Sequence, residues 1–192
     1  MIERAPFGSW RSPITAASIV GGAASISEVV VDDATLGMPV WFAESRPSEG
    51  GRTAVLRRAA DGTVREVTPP GANARSRVHE YGGGAWWARR DRLVYVELAD
   101  QQLRAIAADG TALLLTTDAR HRYADLRITD DERWVLAVRE RHDPAASEAA
   151  NEIVAVALDG SGVTRVLATG ADFVSNPRLS PDGAQLAWLQ WH

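Results

Sequence analysis

Arg77-Val78-His79-Glu80-Tyr81-Gly82-Gly83-Gly84-Ala85-Trp86-Trp87 divides this sequence into β-rich units. Three consecutive glycines let the backbone reach φ > 0, or let another segment pass close by. The two tryptophans that follow start a strand able to bury large rings. One β-rich unit precedes this stretch, and further copies follow it.

Outward from the glycines, short apolar runs rich in Val, Ile, Leu and Trp alternate with Gly, Asp, Pro and Ser punctuation. They predict strands at 26–32, 39–45, 54–60 and 64–68, then at 84–89, 92–98, 102–107 and 112–116. A third set falls at 123–129, 133–140, 152–158 and 163–168, and a fourth has only 173–179 and 184–190. Two turn signals recur in register with these sets. Ala60-Asp61-Gly62, Ala108-Asp109-Gly110 and Leu158-Asp159-Gly160 separate third from fourth strands. Thr129-Asp130-Asp131-Glu132 and Ser180-Pro181-Asp182-Gly183 separate first from second. Asp-Gly supplies the positive φ of a tight hairpin. Two registers of turns at one period of about 50 residues indicate four-stranded units that must stack on one another.

The predicted fold is all-β: a β-propeller of four-stranded antiparallel blades, with about three and a half blades present and the ring incomplete. Residues 1–25 form a lead-in, and 26–192 the partial propeller, with blades at about 26–69, 76–117, 122–170 and 172–192. In the lead-in, Pro13 opens a short helix over 14–20, stopped by Gly21-Gly22; the alternative is an extended lead-in whose Trp10 and Phe7 pack on the domain. A half-blade ending in an apolar strand leaves a hazardous free edge. The chain is therefore expected to be the front part of a longer propeller protein. The alternative is a four-bladed ring closed by an N-terminal strand.

Composition removes several functions. The net charge of −4 argues against a nucleic-acid surface. There is no Cys, hence no disulfide, thiolate metal site or cysteine nucleophile. All 21 basic residues are Arg, which excludes a lysine Schiff base, a P-loop lysine and a Ser-Lys dyad. No run is long and apolar enough for a membrane span, and no signal-peptide pattern is present; a cytoplasmic location is the expectation. No cofactor or metal is expected: His121, His142 and His192 show no ligand spacing. No acidic metal cluster supports a lactonase-like propeller enzyme.

Several segments resemble one family. Pro6-Phe7-Gly8-Ser9-Trp10-Arg11-Ser12-Pro13-Ile14 is similar to the opening of bacterial prolyl oligopeptidase family serine peptidases of the dipeptidyl aminopeptidase/acylaminoacyl peptidase type. Val40-Trp41-Phe42-Ala43-Glu44-Ser45-Arg46-Pro47 and Gly50-Gly51-Arg52 resemble their first blade. Val78-His79-Glu80-Tyr81-Gly82-Gly83-Gly84-Ala85 resembles their most recognisable propeller segment, and Tyr123-Ala124-Asp125-Leu126-Arg127 and Asn151-Glu152-Ile153 continue the likeness. The resemblance implies a propeller capping a C-terminal α/β-hydrolase domain with a Ser-Asp-His triad, and restricting access to peptides. No Gly-x-Ser-x-Gly elbow occurs here, and Ser161 falls in a hairpin turn, so no catalytic residue is assigned. Peptide substrate and the hydrolase domain are the implied partners. A stand-alone TolB-like propeller serving as a protein-interaction module is the alternative.

In a propeller, loops between second and third strands and connections between blades share one face. Arg77, His79, Glu80, Tyr81, Glu44, Arg46, Arg122 and Arg139 are therefore the candidates for substrate gating or domain docking. An arginine there suits a carboxylate, and Glu44, Glu140 or Glu148 suits a peptide amino terminus. As neighbours in an extended segment, His79 and Glu80 are expected to point to opposite sides. The segment 139–151 has room for one helical turn.

Overall fold

The computed structural model describes residues 4, 6–9, 12–20 and 24–192. Trp10 and the Gly21-Gly22 helix stop lie outside the described residues, and Phe7 is fully exposed rather than packed on the domain. Helix α1 (Ala16–Val20) begins two residues later than Pro13 suggests. Thr15 is the reason: its hydroxyl accepts the Ser18 N–H at 3.0 Å, and the Ser18 hydroxyl accepts the Thr15 N–H at 2.9 Å. This reciprocal cap fixes where the helix starts.

Among the described residues, fourteen strands follow in four antiparallel sheets. The first holds β1 (Ser25–Val31), β2 (Val40–Arg46), β3 (Arg52–Arg58) and β4 (Val64–Glu66). The second holds β5 (Trp86–Arg89), β6 (Arg92–Val96), β7 (Leu103–Ile106) and β8 (Ala112–Leu114). The third holds β9 (His121–Ile128), β10 (Trp134–Arg141), β11 (Ala150–Ala157) and β12 (Thr164–Thr169). The fourth pairs β13 (Phe173–Leu179) with β14 (Leu186–Trp191). Each sheet is a meander in chain order. These are the blades of a propeller, three of four strands and one of two among the described residues.

The repeated turns share one chemistry. Asp61, Asp109 and Asp159 each accept, through Oδ1, the N–H two residues on, at 2.9, 2.8 and 2.9 Å. The glycines that follow have φ of 88°, 87° and 78°. An aspartate that closes its own turn, next to a residue free to adopt positive φ, sets the hairpin without help from the core. In the turns between first and second strands, Asp131 and Asp182 act likewise, accepting the N–H groups of Arg133 and Ala184.

Each pair of neighbouring blades encloses an apolar layer. Val30, Trp41, Val55, Trp86 and Tyr95 lie between the first and second blades. Val96, Leu103, Tyr123, Leu126 and Val156 lie between the second and third. Val78, Ala124, Val138, Ile153 and Val174 lie between the third and fourth. Trp86 faces the first layer, whereas Trp87 packs at the margin of the first two.

The first strands adjoin one another across the blades and are bulged at corresponding places. The register slips around Glu28, Asp125 and Asn176, whose φ values are 48°, 53° and 54°. Gly84 stands at the matching point just ahead of β5, at φ 51°. These points are tied in sequence. The Gly84 N–H donates to Glu28 at 3.3 Å, the Leu126 N–H to the Gly84 carbonyl at 3.1 Å, and the Asn176 N–H to Asp125 at 2.9 Å. A bulge re-aims the chain and exposes backbone groups; here each bulge binds the next blade.

Candidate functional site

The link between β4 and β5 winds over the second and third blades before it reaches the glycines. Asn73 anchors it, accepting the Thr53 N–H at 2.9 Å and donating its own N–H to Glu97. The buried Ser76 hydroxyl donates to the Tyr123 carbonyl at 2.6 Å and accepts the Val78 N–H. The chain then turns tightly: the Glu80 N–H meets the Arg77 carbonyl at 3.0 Å, and the Gly82 N–H meets the Val78 carbonyl at 2.9 Å. His79 and Glu80 both take positive φ, 55° and 66°. The extended geometry expected for this pair is thus replaced by a turn. Two successive non-glycine residues in that region are costly unless the surroundings hold them.

What holds them is the end of the third blade. The His79 N–H donates to Glu140 Oε1 at 2.6 Å. His79 Nε2 lies 3.1 Å from Asn151 Oδ1, and the Asn151 amide donates to the Asp172 carbonyl at 2.7 Å. With the amide nitrogen so engaged, its oxygen faces the imidazole, which assigns the proton to Nε2. Glu140 is only 5% exposed, and its second oxygen lies 3.0 Å from His142 Nε2 and 3.9 Å from Arg122. Arg122 also reaches Glu80, at 3.2 Å, and the Arg77 carbonyl, at 3.4 Å. Glu80 itself projects into solvent.

Aromatic rings complete one wall. The His79 ring is 5.3 Å from Phe173, 6.0 Å from Tyr81 and 6.4 Å from Trp191, and Phe173 stacks on Trp191 at 5.5 Å. Tyr81 is 80% exposed, while Phe173 and Trp191 are partly so. The result is an aromatic surface edged by charges of both signs, Glu80 against Arg122 and Arg77, suited to an apolar side chain with a polar end.

Of the residues singled out from sequence, His79, Glu80, Tyr81 and Arg122 meet here, with Arg77 at the exposed edge. Arg139 is buried beside them and committed to Glu152, at 2.7 Å. That pair extends the β10–β11 ladder to Arg141 and Ala150, so the helical turn expected within 139–151 is replaced by strand and a tight turn at Asp143–Ala146. Glu44 and Arg46 lie elsewhere, on the first blade. Arg46 pairs with Glu44 at 2.6 Å and Glu66 at 2.7 Å, and Arg52 pairs with Glu66 at 2.6 Å. These contacts hold the Arg46 guanidinium above its ordinary range, the hydrogen bonds it donates to Glu44 and Glu66 contributing most. Asn151, Phe173 and Trp191 also belong to the site, and sequence reasoning does not group them with it. The sequence signal for Asn151 is its place in the Asn151-Glu152-Ile153 segment that carries the family likeness; the structure sets it opposite Glu140, the position next to Arg139, in the β10–β11 ladder. Among the described residues no three His, Asp or Glu side chains gather as a metal site, and no helix is long and apolar enough to cross a membrane.

No family model matches the sequence, and no curated protein matches it. Solved structures do. The crystal structure of a puromycin hydrolase is 33% identical, with a TM-score of 0.86 over 99% of this chain and 31% of its own. A puromycin-hydrolyzing peptidase of Mycobacterium tuberculosis is 35% identical, with a TM-score of 0.84 over 97% of this chain and 31% of its own. A putative TolB from Agrobacterium tumefaciens shares the fold alone, at 18% identity and a TM-score of 0.52 over 79% of this chain and 50% of its own. The chain therefore spans about a third of the length of the two peptidases it matches. It belongs to the prolyl oligopeptidase family, of which it represents β-propeller structure.

Proposed function

We propose that this chain is the non-catalytic propeller portion of a serine peptidase of the prolyl oligopeptidase family, gating peptide access and docking an α/β-hydrolase domain. The observation that carries the reading is the match of nearly the whole chain to two puromycin-hydrolysing enzymes at 33% and 35% identity. The segments around Pro6–Ile14 and Val78–Ala85 favour the dipeptidyl aminopeptidase/acylaminoacyl peptidase branch, acting in the cytoplasm. The surface formed by His79, Glu80, Tyr81 and Arg122 is the proposed contact. Its turn is held by side chains from two blades, so it presents a fixed shape to a peptide or a facing domain. Strain held in place by neighbouring structure is characteristic of such surfaces.

The test uses the full-length protein with aminoacyl-nitroanilides and longer peptides. His79→Ala and Glu80→Ala are each expected to lower kcat/KM by about tenfold on peptides, with the circular dichroism unchanged. Unaltered kcat/KM on every substrate would sink the contact assignment. The 192-residue chain by itself is expected to hydrolyse none of them. Turnover that persists through stringent purification would overturn the non-catalytic reading.

A further inference from the structure

At the end of the blades opposite the His79 loop, a cavity of about 720 Å³ lies between the first strands of neighbouring blades. Trp87, Arg127, Trp134 and Arg178 line it. The Arg127 guanidinium lies over the Trp87 ring, 3.7 Å from its centroid. It donates to the Leu126 carbonyl at 2.6 Å. One blade on, Arg178 repeats the arrangement, donating to the Pro177 carbonyl at 2.8 Å and to Asn176 Oδ1 at 3.3 Å. A guanidinium has five N–H donors, so most of each fork is uncommitted. Among the described residues, neither head pairs with a carboxylate.

The nearby acidic groups are engaged elsewhere. Asp125 holds the Asn176 N–H, and Glu28 holds the Gly84 N–H. Asp130 pairs with Arg89 at 3.1 Å. Asp131 and Asp182 close their own turns. Burial, then the like charge of Arg178, push the Arg127 guanidinium down to about 10. Neither guanidinium has a carboxylate within ion-pairing reach, and the more distant Asp125 and Glu28 offset the Arg127 charge only in part; two like charges beside an aromatic shelf disfavour each other until an anion joins them. The aspartates around the rim disfavour a multiply charged anion such as a phosphate dianion, and the indole rings suit an apolar body next to a single charge.

We propose that Arg127 and Arg178 form a carboxylate-binding site on the Trp87 shelf, separate from the His79 surface. A planar fork and a carboxylate match in two parallel hydrogen bonds. The carboxylate comes either from the free C-terminus of a peptide in the axial cavity or from an acidic side chain of the same polypeptide outside these 192 residues. This assignment does not rest on the gating role proposed above.

Calorimetric titration of N-acetyl-alanyl-leucine and of its C-terminal amide, at low ionic strength, tests it in the 192-residue chain and in the full-length protein. The acid is expected to bind and the amide not. Arg127→Gln and Arg178→Gln are each expected to weaken binding by about tenfold or more. Arg178 is exposed, so its variant preserves the fold, which circular dichroism checks, and Arg178→Lys should retain some of the affinity. Binding of the acid by the full-length protein identifies a peptide carboxylate as the ligand. Binding by the 192-residue chain only, with a lower Tm for full-length Arg178→Gln, identifies an acidic side chain of the polypeptide. Equal binding of acid and amide, no binding by either form, or affinity indifferent to both glutamine variants overturns the proposal.

Discussion

Gly84 shows how much one missing methyl group decides. A Cβ at this position would lie 2.6 Å from the Asp125 Cα and 2.7 Å from its nitrogen, with φ at +51°. Backbone from the third blade occupies the space, and neither neighbour is the far end of a flexible side chain. Gly84→Ala is expected to cost roughly 2–4 kcal/mol, combining left-handed strain with overpacking. Gly110 also has positive φ, but nothing lies within 4 Å of its Cβ position. Gly110→Asn is expected to stay within about 1 kcal/mol of wild type, since asparagine tolerates that conformation. Urea unfolding of the two variants compares them; similar midpoints would remove the blade-contact explanation.

Asp32 offers a pH-dependent counterpart. Burial alone would raise its carboxyl. The Thr35 hydroxyl at 2.6 Å and the Asp91 N–H at 2.9 Å, with further backbone N–H groups, outweigh burial and hold it below the ordinary carboxylate range. A depressed folded pKa gives stability that is fully present above the unfolded pKa, about 3.9, and is lost as pH falls through the folded value. Asp32→Asn should therefore cost about 1–3 kcal/mol at neutral pH, with the gap from wild type closing in acid. A gap that stays constant down to the acid limit of folding would contradict this.

At the scale of elements, β4 is the instructive case. It has three residues and, among the described residues, pairs only with β3. Backbone pairing of that length holds an edge weakly, and the ion cluster around Glu66 supplies the rest. Glu66 accepts from Arg46 and Arg52 together, and Glu49 pairs with Arg52 from the other side of the loop. Glu66→Gln is expected to lower stability by about 1–2 kcal/mol. Amide exchange in β4 should speed up more than in β2 or β3. Added salt should shrink the difference, because these side chains are only partly buried. Uniform exchange across the sheet would show that the cluster does not pin this strand.

Across the whole molecule, stacking of blades makes the core, and the outermost surfaces remain apolar. On the fourth blade Leu189 is 60% exposed, and on the first Val29 is 61% exposed. Among the described residues β14 pairs only with β13. An apolar strand with an unpaired edge templates association. The 192-residue chain is expected to self-associate with rising concentration in sedimentation velocity, and Leu189→Lys to reduce it. A monomeric wild-type chain at its highest soluble concentration would refute this.

The fourteen strands of the described residues are legible in the sequence to within two residues at every end, because each blade states its turns locally. Asp61-Gly62, Asp109-Gly110 and Asp159-Gly160 form their hairpins from adjacent atoms, and the apolar runs between them have strand length. The family segment around His79 is legible for the same local reason. Sequence by itself does not determine what that segment touches. Glu140, Asn151, Phe173 and Trp191 reach His79 only because the third and fourth blades stack beside the second, and no local pattern encodes a contact between positions so far apart in the chain. The same holds for Arg127 and Arg178. Their repeat is visible in the chain, but their unpaired forks and the indole beneath Arg127 exist only once the first strands converge, which half-buries Arg127 against Trp87 while Arg178 stays exposed, and no local pattern encodes that difference in access to water.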